Sequence, residues 1–271
     1  VSPAGAAKGP LPTFVIIGAQ KSATRWLRVN LGEHPEIFTS DTEVSYFNDP
    51  KRVRALQLRW YRAQFEAWEG QPHLGEATPG YMMWRHNPPE VAARMRKAIP
   101  HAKLFAVLRD PVERAASAVR HHIKHERLPP GTDLRTAVER TEPERDRLGI
   151  ISGGWYATSL APFRERYGKK LAVLLYDDVR DDPRRVYRAA LEHLGVDDLD
   201  FVPEELAEVR YGNADAAQAP AGAPARAEGG AGIDAELRRE LFDRWFRTDV
   251  DRLQEDLGRD LSAWYPDRDG G

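Results

Sequence analysis

Three short apolar runs stand out along the chain: Phe14 to Gly18, Lys103 to Leu108 and Leu171 to Tyr176. Each is too short for a buried helix and ends in glycine or charge, the pattern of strands covered on both faces. Between them, apolar residues recur at helical spacing. Trp26, Leu27 and Leu31 mark a helix directly after the first strand, and further helices are predicted over Arg59 to Trp68 and Val91 to Ile99. Pro111 suits the first turn of a helix running to about His125. Three more are predicted over Tyr156 to Tyr167, over Pro183 to Leu194 with Gly195 closing it, and over Asp234 to Leu257. Strands alternating with helices predict a single α/β domain, a parallel sheet with helices on both faces. No internal repeat is visible.

Three segments fall outside this pattern. Residues 1–12 are rich in Ala, Gly and Pro and are expected to be disordered, so the domain is set at 13–265, with a tail at 266–271. Leu128 to Gly149 reads as a solvated, charge-rich excursion. Gly212 to Gly232 is a low-complexity Ala/Gly/Pro stretch, expected to be a flexible loop or lid.

Composition narrows the function classes. Of 271 residues 41% are apolar and 30% charged, and 40 basic against 42 acidic residues leave a formal charge of -2. This argues against nucleic-acid binding driven by bulk charge. No apolar run approaches the ~20 residues of a membrane span, and no secretory signal is visible, so a cytoplasmic protein is expected. The chain has no cysteine, which excludes disulfides, thiolate metal sites and cysteine nucleophiles. Only eight of the cations are lysines and the other 32 are arginines, so each lysine invites inspection.

One of those lysines lies in the run VIIGAQKSATRWL, Val15 to Leu27. The order strand, glycine, lysine, small residues, threonine, helix places backbone N–H groups and a helix N-terminus at the carboxyl edge of a parallel sheet, where an anion is favoured. It is not a Walker A box, because Ser22 and Ala23 separate Lys21 from Thr24. The residues alone leave open an ordinary strand-to-helix turn. A second run, KLFAVLRDPVERAASAVRHH, sets Arg109 just after a strand and Ser117 about two helical turns later. An Arg–Asp surface pair would explain Arg109 alone equally well.

Together the two runs resemble the sulfotransferases that use 3′-phosphoadenosine 5′-phosphosulfate (PAPS), heparan sulfate and cytosolic members alike. K-S-A-T-R-W at Lys21 to Trp26 is similar to their 5′-phosphosulfate loop, with Ala23 where the family usually has glycine. The resemblance implies a P-loop NTPase-like domain and a donor site in which Lys21, Ser22, Ala23, Thr24 and Arg25 hold the phosphosulfate. It implies that Arg109 and Ser117 bind the 3′-phosphate, that PAP is released and that no metal is needed. Trp26 would stack on adenine, or be a core aromatic. Tyr176, in LLYDDVRDDP, would contact adenine, or cap its strand.

Thr42 to Asn48 resembles the E-V-H-F-F segment carrying the proposed base of the heparan sulfate enzymes, which makes Glu43 the implied base and leaves Ser45 where the family has histidine. GEATPGY, Gly75 to Tyr81, resembles E-K-[ST]-P-x-Y, with Ala77 at the lysine and Glu76 as a second candidate base. Arg25 or Arg85 would then supply the missing cation. His121, His122 and His125 read as a polar helix face near the acceptor, one of which could take a proton. The family's late K-G-R triplet is absent, and Arg226 is the nearest candidate. The reaction implied is sulfuryl transfer from PAPS to a hydroxyl of a small-molecule or sugar acceptor, whose pocket could draw on Trp60, Trp68, Trp84 and Trp155. A P-loop small-molecule kinase and a non-catalytic nucleotide-binding protein of the same fold are the alternatives.

Overall fold

The computed structural model describes residues 9–204, 206 and 233–266. The expected lid at 212–232, Arg226 within it, and most of the expected tail therefore lie outside the described residues. So do the first eight residues, whereas the next few are packed. Leu11 lies on the core and the Gly9 carbonyl accepts from Arg62.

Five parallel strands form one sheet in the order β2-β3-β1-β4-β5: β1 (Phe14–Gly18), β2 (Ile37–Thr39), β3 (His73–Ala77), β4 (Lys103–Leu108) and β5 (Leu171–Leu175). The three expected strands are present. β2 and β3 were not legible as strands because one is three residues long and the other reads HLGEA, with no apolar run. Alternation divides the central strands between two cores. Val15, Ile17, Leu104, Ala106 and Leu108 face one layer, while Phe14, Ile16, Phe105 and Val107 face the other. The sheet is thus covered on both sides, as the strand composition requires.

The helices are α1 (Thr24–Gly32), α2 (Pro50–Ala63), α3 (Pro88–Ala98), α4 (Pro111–Lys124), α5 (Leu134–Glu139), α6 (Tyr156–Tyr167), α7 (Tyr176–Asp181), α8 (Pro183–Leu194), α9 (Ala235–Leu241) and α10 (Arg247–Leu257). Capping explains several boundaries. Asp110 accepts the N–H groups of Val112 and Glu113 and Asp182 that of Arg185, each ahead of a proline at the first helical position, and Gly195 closes α8 with φ +74°. Of the stretch expected to be helical at Arg59 to Trp68, Arg59 to Ala63 is the end of α2, which begins at Pro50 after the Asp49 cap and is kinked at Gln57 (φ +55°). The excursion at 128–149 is not wholly solvated, since α5 buries Leu134 and Ala137 and Asp146 is also buried. The last expected helix is interrupted by a π-helical turn, Phe242–Phe246, between α9 and α10.

β1 is flanked by β3 on one side and β4 on the other, so connections leave it in opposite directions. In open parallel sheets a crevice forms at such a switch, beyond the strands' carboxyl ends. The loop after β1 and the residue after β4 meet there.

Candidate active site

Residues 19–23 join β1 to α1. Two of them, Lys21 (φ +68°) and Ala23 (φ +65°), are left-handed, which turns the chain sharply between strand and helix. That conformation costs a non-glycine residue roughly 1–2 kcal/mol. The glycine usual in the resembling family would avoid this cost, so Ala23 carries backbone strain. Ala23 is also the N-cap of α1, with no side-chain cap bond, and no acidic residue lies in the first turn. The first N–H groups of α1 are therefore free of the carboxylates that neutralise most helix starts.

Ser22 is fully buried and its hydroxyl has no hydrogen-bond partner. The Tyr156 hydroxyl lies beside it but donates instead to the Arg109 carbonyl at 2.8 Å. Gln20 Oε1 and Arg109 Nε are likewise buried without partners. Of these, the Ser22 hydroxyl and Arg109 Nε are donors, and beside a helix start with no acid they suit a polyoxyanion, because leaving such groups unmet costs on the order of 1–3 kcal/mol each. A 5′-phosphosulfate fits this donor set.

Arg109, 8% exposed, follows β4. Its guanidinium lies 4.5 Å over the Tyr176 ring and donates to Glu113 at 2.8 Å. Tyr176, itself buried, thereby helps orient Arg109. On α4, Glu113, Ser117 and His121 follow at i, i+4 and i+8 on one face. That face spans from Arg109 at its start to Lys21, which lies within electrostatic reach of His121. Burial chiefly, then the charge of Lys21, pushes the His121 imidazole down to about 4, so it is neutral at pH 7. His122 is committed elsewhere, bonded to the Leu148 carbonyl at 2.8 Å.

The structure brings Lys21, Ser22, Thr24 and Arg109 to one sheet edge, with Arg25 exposed at the start of α1 and Ser117 two helical turns further along α4. Trp26 takes the position of a core aromatic. It is 8% exposed within the apolar layer against α8, and its indole N–H points to the Leu206 carbonyl. Ala77 packs in the same layer, so β3 presents no cation. Arg85 is held by the Arg147 carbonyl at 2.6 Å, among the charges of Arg127 and Asp146.

Glu43 sits in the loop after β2. It is exposed, yet partial desolvation raises its pKa while Arg28 opposes the shift. Its loop is anchored around Glu76. That carboxylate is fully buried and accepts from Tyr61 (2.8 Å), Tyr81 (2.8 Å), Thr78 (2.7 Å) and the Val44 amide. With four donors and no solvent, Glu76 has no capacity left for a substrate proton; it is a structural hub. Ser45 donates its amide to Thr78 at 3.1 Å, and Arg52 holds the Val44 and Ser45 carbonyls. Glu76 is invisible to local sequence reading as a hub, because its partners come from α2, the turn after β3 and the Glu43 loop.

The sequence matches the sulfotransferase domain family over residues 11–220. It is 39% identical over 127 residues to the membrane-associated sulfotransferase kil1 of Dictyostelium discoideum, covering 44% of this chain and 26% of that protein. It is 28% identical to heparan sulfate glucosamine 3-O-sulfotransferase 3B1 of Mus musculus, over 71% of this chain and 48% of that protein. The chain thus spans between a quarter and a half of the length of these curated relatives. A solved sulfotransferase from Alicyclobacillus acidocaldarius superposes with a TM-score of 0.72 and 28% identity, covering 94% of this chain and 99% of that one. No helix among the described residues is long and apolar enough to cross a membrane.

Proposed function

Because the chain belongs to the sulfotransferase family, we propose that it transfers a sulfuryl group from PAPS to a hydroxyl of a carbohydrate or small-molecule acceptor, releasing PAP. The observation that carries the reading is the convergence of the Lys21 loop and Arg109 at the ends of adjacent strands β1 and β4, around the orphaned Ser22 hydroxyl. Two anion sites at that separation suit a donor with phosphate at both ends of its ribose.

When bound, the donor supplies an electrophilic sulfur and a phosphate leaving group. Lys21 and the N–H groups at the start of α1 absorb the charge that grows on the leaving oxygen. Ser22, Thr24 and Arg25 hold the 5′ end, while Arg109 and Ser117 hold the 3′-phosphate. Tyr176 serves the donor by orienting Arg109. Glu43 takes the acceptor proton, and its raised pKa makes it a better base than an ordinary surface carboxylate. The positive groups needed are side chains and helix ends, so the reading requires no metal.

A carbohydrate acceptor is supported by the 3-O-sulfotransferase relative, whose name describes heparan sulfate glucosamine as its substrate. It is supported too by the guanidiniums of Arg85 and Arg127, close to the neutral imidazole of His122, which suit an acidic sugar.

The test is thermal stabilisation by PAP, ADP and ATP with Mg²⁺, followed by transfer of labelled sulfate from PAPS to sugar acceptors. Selective stabilisation by PAP is expected. Stabilisation by ATP with Mg²⁺ but not by PAP would favour the kinase alternative and overturn the donor assignment.

A further inference from the structure

Arg109 has an unexpected companion. Arg238, on α9 and 129 positions later in the chain, reaches the same corner and donates to Asp110, the residue that caps α4. Its other terminal nitrogen stands 3.9 Å from Glu113 Oε1, while Arg109 stands 2.8 Å from Glu113 Oε2. One carboxylate therefore bridges two guanidinium groups. Its side chain is 24% exposed, and those of Arg109 and Arg238 are 10% and 22% exposed. Ser117 lies one helical turn further along the face that carries Glu113.

A carboxylate and a phosphate offer guanidinium forks the same geometry of paired anionic oxygens. We propose that Arg238 is a second cation for the donor's 3′-phosphate, and that Glu113 is an internal stand-in for that phosphate, holding Arg109 and Arg238 together until the nucleotide displaces it. The inference rests on the PAPS reading above. It gives Arg238 a role that no local motif marks, and it gives Glu113 the opposite sign from a binding residue, because its charge competes with the ligand. Asp110 remains on Arg238 throughout, so the guanidinium stays aimed at the corner when Glu113 leaves. Such an arrangement avoids juxtaposing two bare guanidinium groups before the nucleotide arrives.

The experiment is equilibrium calorimetry with adenosine 3′,5′-bisphosphate and with adenosine 5′-monophosphate, on wild type, Arg238→Ala, Arg238→Lys and Glu113→Gln, with thermal unfolding of each free protein. Loss of one charge-assisted contact is expected to weaken bisphosphate binding about 10- to 100-fold in Arg238→Ala, and less in Arg238→Lys. Monophosphate binding should stay the same in both. Glu113→Gln should bind the bisphosphate several-fold more tightly and the monophosphate unchanged. Equal weakening of both nucleotides in Arg238→Ala, or unchanged or weaker bisphosphate binding in Glu113→Gln, would overturn the proposal. A wild type that does not prefer the bisphosphate removes the PAPS reading itself. A wild type that does prefer it, with variants that behave alike, removes this inference alone.

Discussion

The donor edge and the acceptor flank of this protein are built from different materials. At the donor edge, the ends of two buried strands set backbone and side chains in place within a few residues of each other, and Ser22 and Arg109 are held by main-chain position. On the acceptor flank, Glu43 lies on an exposed loop whose position depends on a buried carboxylate 33 positions later, itself held by Tyr61, Thr78 and Tyr81. A tiered aromatic cluster reinforces it, with Tyr46 stacked on Tyr61 at 4.9 Å and Phe47 edge-on to both Tyr61 and Tyr81. On the proposed reading, the difference teaches that donor recognition can be encoded by a local motif, whereas acceptor chemistry depends on tertiary support.

If the division holds, variants on the two sides will fail differently. Glu43→Gln should lower kcat by about 10²–10⁴-fold while leaving the PAP dissociation constant unchanged. Steady-state rates beside calorimetry will show it, and a Glu43→Gln enzyme of normal turnover would remove Glu43 as the base. Lys21→Ala should lower kcat by about 10²–10³-fold and also weaken PAP, since it touches both ground and transition states.

Glu76→Gln tests the support rather than the chemistry. Introducing an amide among three hydroxyl donors and a backbone N–H should destabilise the fold by about 2–4 kcal/mol in urea unfolding. At temperatures where the variant is folded, turnover should fall while PAP affinity holds. Weakened PAP binding would mean that the two sides are not separable.

Ala23→Gly sharpens the donor side in the favourable direction. Relief of the left-handed alanine, offset by the greater freedom of glycine in the unfolded chain, should raise stability by about 0.5–1 kcal/mol, measured by urea unfolding.

The smallest effect is a pH dependence. His86 and His121 are held down to about 4, chiefly by burial, against an ordinary value of 6.5. Below pH 6.5 the unfolded chain takes up protons that the folded protein refuses, so these groups lower stability as pH falls from 6.5 towards 4. Asp110, pushed up to about 6 by burial, acts in the opposite sense: its contribution is present below 3.8 and lost as pH rises through about 6. The difference between wild type and His121→Gln isolates the histidine. The melting temperature of the variant should fall less steeply on acidification, and parallel curves would show that His121 does not carry this dependence.

Much of the donor edge was legible because its determinants are contiguous. Short apolar runs placed β1 and β4, and the spacing of Lys21, Thr24, Arg109 and Ser117 placed the motifs after them. The same local reading followed the aromatic residues and missed the part of α2 before the kink at Gln57, passing over the Asp49–Pro50 start signal. It left Trp26 and Tyr176 undecided, since an aromatic ring at a strand or helix end suits ligand and core equally. In the structure Trp26 packs in the layer against α8 and Tyr176 lies under Arg109.

What the amino-acid sequence determined by itself was the parallel α/β sheet, the strand-to-helix loop carrying Lys21 after β1 and the arginine after β4. Strand periodicity and strand-to-helix turns are properties of a few consecutive residues, so they can be read without knowing the rest of the chain. Only the tertiary structure decided that Glu76 is saturated, that Ala23 is left-handed and that Arg238 shares Glu113 with Arg109. Those outcomes depend on which side chains meet across tens of positions or more, and on the buried groups each one leaves satisfied or unmet. Spacing along the chain carries no record of either.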